Sequence, residues 1–290
     1  MSKKVVIILI SITLGIILAI NLLLFLQYSD KLKNTNELNV IEYLEYGDSF
    51  NKIYLYDLNN NLYSSNPNTP YKVVIYLLAS CQSCIEELGS FKNLINIFSN
   101  EQLEFQLVWE GDIPLERIKK INIPLDINYS LKSERALSNT TPTAYIVNKE
   151  GEIIFSCRAR MESLVSKLIE INEDKINDTK DKALTNLKNE LQIDNKRPYL
   201  FLFATSDCEG CKLAEEFLQV DKLVESKYNL ITIVNESQNH EKIYMDNFLI
   251  YSKLFNINKY PSFILVNDNK NEIFFNTTDI NELQEFLYNN

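Results

Sequence analysis

Five cysteines punctuate the chain of 290 residues, and four of them stand in two pairs of identical spacing, Cys81-Gln82-Ser83-Cys84 and Cys208-Glu209-Gly210-Cys211. Two cysteines three apart at the start of a helix place the first thiol at the helix N-terminus. Unsatisfied backbone N–H groups and the helix dipole stabilise a thiolate there. The second thiol lies about one turn further in, close enough to resolve a mixed disulfide formed by the first. Cys81 and Cys208 are therefore assigned as attacking nucleophiles, and Cys84 and Cys211 as their resolving partners. The dipeptide between the thiols tunes them. Glu209 sets a negative charge beside the second pair, which disfavours its thiolate and makes that pair the more reducing, whereas Gln82-Ser83 is neutral.

Other readings share this spacing. A CxxC also serves as a structural disulfide, and paired CxxC is zinc-ligand spacing. The two pairs lie far apart in sequence, each in its own half, which tells against a shared zinc, and no metal site is assigned. Cys157, in Phe155-Ser156-Cys157, reads as a buried or half-buried passenger. The single histidine, His240, stands in the polar stretch Gln238-Asn239-His240-Glu241 and reads as a surface loop residue. One histidine leaves little room for His-based hydrolysis. Trp109 reads as packing at a strand end. The net charge of −10 excludes nucleic acid as a partner, because phosphate binding needs a basic stripe. Hydrophobic and charged fractions of 46% and 23% suit ordinary globular domains.

The elements that must position the cysteines recur in the same order twice. In the first half, Val73 to Leu78 reads as a strand, Cys81 opens a helix carrying Ile85, Leu88, Phe91 and Leu94, and Phe105 to Trp109 is a second strand. Thr141-Pro142 then precedes the strand Thr-Ala-Tyr-Ile-Val. Lys149-Glu-Gly-Glu turns the chain into Ile153-Ile154-Phe155, and a helix with Leu164, Leu168 and Ile169 follows. A further hairpin, Ile53 to Tyr63, turns at Asn59-Asn60-Asn61 ahead of the first strand.

In the second half, Tyr199 to Ala204 is an unbroken apolar run, as a central strand should be. A helix from Cys208 carries Leu213, Phe217 and Leu218, Leu230 to Val234 is a strand, and Ile243 to Phe255 reads as a helix. Tyr260-Pro261 precedes Ser-Phe-Ile-Leu-Val and its hairpin partner Ile273-Phe-Phe. A helix with Leu283, Phe286 and Leu287 closes the chain.

This order resembles the thioredoxin fold, twice over, and implies an α/β architecture of two tandem thioredoxin-like domains, each a central mixed sheet flanked by helices, after an N-terminal transmembrane helix. The first copy, with Thr140-Thr141-Pro142-Thr-Ala-Tyr-Ile-Val-Asn-Lys-Glu-Gly, looks like the exported, membrane-tethered branch of that family. The second, with Tyr260-Pro261-Ser-Phe-Ile-Leu-Val-Asn-Asp, looks like a minimal thioredoxin. The resemblance implies that Pro142 and Pro261 are cis and lie against the CxxC pairs. It further implies that Thr141 and Tyr260 present backbone groups to a substrate strand, and that Pro142 and Pro261 belong to the same substrate-binding sites. Neither copy has the Trp before the first Cys or the Gly-Pro dipeptide of the family, and Ile75 and Leu202 stand where its buried acid would be. These departures favour a narrower substrate range or reduced activity.

The organisation read from the sequence is a cytoplasmic tail at 1–4, a transmembrane helix at 5–27, a linker at 28–49, a first domain at 50–172, a connecting helix at 173–196 and a second domain at 197–290. The run from Val5 to Leu26 is broken only by Ser11, Thr13, Gly15 and Asn21. At ~1.5 Å per residue it reaches roughly 33 Å, enough for a lipid bilayer, and Gln27-Tyr28-Ser29-Asp30 after it lacks a small-residue cleavage pair. Lys3 and Lys4 before it and Lys31 and Lys33 after it give a weak positive-inside bias. A short leading tail and a long trailing part suggest a signal-anchor with both domains outside the cytoplasm. The expected function is thiol–disulfide exchange on exported proteins or peptides, without a cofactor, coupled to a membrane electron donor or acceptor and relaying electrons between the two pairs. The alternative is a redox-inactive or half-active module that holds a client at the membrane.

Overall fold

Two apolar runs, Tyr71–Leu78 (β2) and Tyr199–Ala204 (β7), are buried on both faces and stand at the centres of two separate sheets. In the computed structural model, which describes residues 43–63, 69–132, 137–191, 197–235, 243–267 and 271–289, each of them has a parallel neighbour on one side and an antiparallel one on the other. The first lobe comprises β1 (Leu55–Tyr56), β2, α1 (Gln82–Glu86), α2 (Leu88–Phe98), β3 (Leu103–Glu110), α3 (Leu115–Ile121), β4 (Asn128–Leu131), β5 (Thr143–Asn148), β6 (Ile153–Arg158) and α4 (Met161–Ile171). Its sheet order is β1-β4-β3-β2-β5-β6. Helix α5 (Ile176–Leu191) leads into β7, α6 (Glu209–Val220), α7 (Lys222–Lys227), β8 (Asn229–Val234), β9 (Ile243–Met245), α8 (Ile250–Leu254), β10 (Ser262–Val266), β11 (Ile273–Thr277) and α9 (Ile280–Asn289). The second sheet runs β11-β10-β7-β8-β9.

Local chemistry sets several of these boundaries. The β5–β6 turn places Gly151 at φ 85°, backbone that L side chains rarely adopt, with its N–H donated to the Asn148 carbonyl. At the early hairpin the Asp57 carboxylate accepts the N–H groups of Asn59 and Asn61, both at 2.8 Å, which lets Asn60 turn at φ 64°. Chain before that hairpin also joins the lobe, since Leu44 is buried and bonds to the Leu137 carbonyl.

Two expectations need correction. The single helix expected from Cys81 is two, α1 and α2, broken at Glu87. The helix expected over Ile243 to Phe255 is a strand followed by a helix. Ile243–Met245 pairs parallel with β8 as the edge strand of the second sheet. Asp246, only 2% exposed, accepts the N–H groups of Tyr251 and Ser252 at 2.9 and 2.7 Å, so the helix starts at Ile250. Among the described residues no helix is long and apolar enough to cross a membrane; the run at 5–27 and His240 lie outside them.

Strand alternation decides how the layers stack. Val74, Tyr76, Val108 and Tyr145 point to one side of the first sheet, where they cluster with Leu55 of β1 and with Leu44 and Phe50. Val73, Ile75, Leu77 and Trp109 point to the other, into a cluster with α2, α4 and α5. That cluster continues without a break into Tyr199, Phe201 and Phe203 of β7. The opposite face of β7, Leu200, Leu202 and Ala204, packs against α6 and α9. From Leu44 onward the described residues thus form one compact unit of sheet, helices, sheet and helices. In strand order, in the helix after the central strand and in the X-Pro that opens a hairpin, both lobes have the thioredoxin fold.

Candidate active site

Each CxxC begins a helix at the end of its central strand. Cys81 is the N-cap of α1, with extended backbone (φ −82°, ψ 108°), and its Sγ accepts the N–H of Cys84 at 3.2 Å. Cys208 caps α6 in the same way (φ −94°, ψ 105°), its Sγ accepting the N–H of Cys211 at 3.0 Å. A sulfur that accepts a helix N-terminal N–H is one whose thiolate the helix stabilises. Within each pair the cysteines are joined as a disulfide. Cys81 and Cys208 are half-buried while Cys84 and Cys211 are buried, so access is through the first of each pair.

The fold brings the expected proline segments to these sulfurs. Both Thr141-Pro142 and Tyr260-Pro261 are cis. The Thr141 carbonyl O lies 3.9 Å from Cys81 Sγ. At the second site a Cβ on Gly210 would stand 3.4 Å from Pro261 Cδ, which places the proline against the dipeptide between the thiols. Tyr260 is half-buried and packs on both neighbouring cores. Beneath the pairs, Ile75 and Leu202 are fully buried in the clusters that hold Cys84 and Cys211.

Two features of the first site escaped the sequence reading. The Ser83 hydroxyl lies 3.2 Å from Cys81 Sγ, so the serine is a hydrogen-bond partner of that sulfur rather than a mere spacer. Glu87, at the joint of α1 and α2 one turn past Cys84, has its carboxyl held above the usual range, first by burial and then by the nearby Glu162 and Glu86. A carboxylate one turn beyond a buried helical cysteine was the only signal in the sequence.

Cys157 is a buried free thiol, pushed by burial from 9.0 to about 11 against backbone N–H groups of Ala144 and Leu164. A raised thiol pKa means that its stabilising contribution is whole below about 9 and is lost as pH climbs toward 11. In the reduced, folded chain at about pH 8, iodoacetamide should therefore label Cys81 and Cys208 and leave Cys157 intact until denaturant is added. Rapid native labelling of Cys157, read by peptide mass, would contradict its burial. Trp109 is fully buried and donates its indole N–H to Asn128 Oδ1 at 3.0 Å. Among the described residues no group of three or more His, Cys, Asp or Glu side chains could hold a metal.

No family model and no curated protein matches the chain. Among solved structures it is similar to the thioredoxin domain of a thiol-disulfide oxidoreductase from Bacteroides vulgatus, at 20% identity over 43% of this chain and 99% of that one, with a TM-score of 0.36. A thioredoxin-like protein from Bacteroides caccae is 18% identical over 49% of this chain and 55% of that one, with a TM-score of 0.36. The pneumococcal exposed lipoprotein thioredoxin from Streptococcus pneumoniae is 14% identical over 40% of this chain and 97% of that one, with a TM-score of 0.32.

Proposed function

We propose that the chain is a thiol–disulfide oxidoreductase acting on exported proteins or peptides through its two CxxC pairs, anchored in the membrane by residues 5–27. In this reading the N-terminus is inside and both lobes are outside the cytoplasm. One feature, present twice, carries the reading: a half-buried cysteine at a helix N-terminus whose Sγ accepts the N–H of its buried partner, with an X-Pro segment alongside. In the reducing direction the thiolate of Cys81 or Cys208 attacks one sulfur of a client disulfide and expels the other as a thiolate. Cys84 or Cys211, deprotonated, then attacks the mixed disulfide. The client leaves as a dithiol, the pair closes as a disulfide, and two electrons have passed to the client. The reverse sequence oxidises a client dithiol. Net reduction draws on an electron donor in the membrane and net oxidation on an acceptor, with electrons relayed between the two pairs of one chain.

The test is the reduction potential of each pair in the full chain, from redox-buffer equilibration with mass-labelled thiols. Values near or below about −250 mV mark a reductase, and values near ~−120 mV an oxidase. If neither pair exchanges, the catalytic reading falls. Glu209 orders the two sites: Cys208 should titrate at a higher pH than Cys81, and Glu209→Gln should lower it. A thiolate-absorbance titration in which Cys208 ionises first would sink this ordering.

A further inference from the structure

Two consecutive bulky residues, Phe248 and Leu249, stand in the left-handed region at φ 60° and 54°, between β9 and α8. Side chains rarely adopt this conformation, and a pair of them persists only where the surroundings over-determine it. Here the surroundings come from both lobes. The Phe248 ring packs on the Phe91 ring of α2, with centroids 5.3 Å apart. Just upstream, the Tyr244 hydroxyl donates to Glu190 Oε2 at 2.6 Å, and Asn93 of α2 donates its amide to both, at 2.9 Å to Tyr244 and 3.1 Å to Glu190. Within the second lobe, Leu249 donates its N–H to the Asp246 carbonyl at 3.0 Å, and the buried Asp246 carboxylate holds the first turn of α8.

Downstream, this turn feeds the second dithiol. Helix α8 ends at Leu254; the Phe255 ring then meets Phe203 of β7 at 6.4 Å, and Ile257 donates its N–H to the Ser252 carbonyl at 2.7 Å. Four residues later Pro261 reaches the Gly210 position between Cys208 and Cys211. Upstream, Phe91 and Asn93 lie on the helix that follows Cys84. The strained turn is therefore the packed connection between α2, the helix after the first CxxC, and the loop that faces the second.

We propose that Phe248 is a positioning residue for Cys208–Cys211, held in place from the first lobe by Phe91. Their contact keeps the left-handed turn, and through α8 the Pro261 loop, in register with the second pair. Without the contact the turn relaxes toward ordinary backbone and Pro261 moves relative to Gly210. The inference rests on the reading of Cys208–Cys211 as an exchanging pair.

The test uses the full chain with Cys81→Ser and Cys84→Ser, so that a single CxxC is read. It is equilibrated with dithiothreitol: protein disulfide plus dithiol gives protein dithiol plus cyclic dithiothreitol disulfide, two electrons for two. Phe91→Ala should shift this equilibrium constant by about fivefold or more, the lower end of ordinary coupling between sites. Phe91→Leu, which keeps most of the buried volume, should stay within about twofold of the parent. Should Phe91→Ala fail to fold, Phe248→Gly removes the other ring at no steric cost in the left-handed region and is held to the same criterion. A lowered melting temperature with an unchanged constant would overturn the proposal, leaving the contact merely structural. If the parent pair never exchanges, the functional reading falls and takes this inference with it; exchange that ignores the variants sinks the inference alone.

Discussion

Cys84→Ala in the full chain is expected to trap client at the first site as a stable mixed disulfide, whereas Cys81→Ser reduces exchange there to the uncatalysed background. The asymmetry follows from where the two sulfurs sit. Cys81 is half-buried at the helix N-cap, accepts the N–H of Cys84 and has the Ser83 hydroxyl at 3.2 Å, so the groups that favour a thiolate converge on it. Cys84 is fully buried beneath it, out of reach of an external disulfide but one turn from its partner. Removing the attacking sulfur removes the only accessible nucleophile of the pair. Removing the resolving sulfur leaves attack intact and blocks release. The same argument applies to Cys208 and Cys211. Non-reducing electrophoresis and mass spectrometry of trapped complexes from cells read the outcome. Trapping by Cys81→Ser instead of Cys84→Ala would reverse the assigned roles, and exchange at full rate in both variants would remove the site from the mechanism.

Leu187→Ala on α5 should cost roughly 2–5 kcal/mol, the range for a fully buried leucine whose cavity cannot collapse. Leu187 is 0% exposed and belongs to the cluster that runs from α2 and α4 into the aromatic face of β7. Its neighbourhood is also pinned by polar contacts across the seam. Asn96 donates to Asn186, Asn186 to the Tyr251 hydroxyl, and the Lys188 ammonium lies over the Tyr199 ring at 4.5 Å. Because one core serves both lobes, urea unfolding should show a single transition, shifted as a whole by the substitution. The only tryptophan, Trp109, lies in the first lobe, so its fluorescence and the far-ultraviolet circular dichroism of the whole chain can be compared directly. Coincident, shifted curves support the shared core. A tryptophan transition that stays put while part of the dichroism signal moves would mean that the lobes unfold separately.

Much of this protein is written in short-range patterns. The CxxC spacing specifies a cysteine at a helix N-cap with its partner one turn in, because three residues is nearly one turn whatever surrounds the helix. Tyr71–Leu78 and Tyr199–Ala204 are legible as strands because their apolar runs are short and unbroken, and the Gly151 and Asn60 turns because few residues tolerate left-handed backbone. The Ile243–Phe255 region is not legible in this way, for a reason of the same kind. A three-residue edge strand exists only by pairing with β8, and the helix after it starts where a buried aspartate caps it, so no local period announces either.

Tertiary structure alone decided the rest. The meeting of Thr141 with Cys81, and of Pro261 with Gly210, depends on strand order across a sheet, which joins residues far apart in the chain. An apolar run such as Tyr199–Ala204 declares that both its faces are covered but not by what. That α6 and α9 cover one face, while the other joins a cluster fed by α2, α4, α5 and α8, is a long-range choice made by side-chain packing rather than by any local propensity.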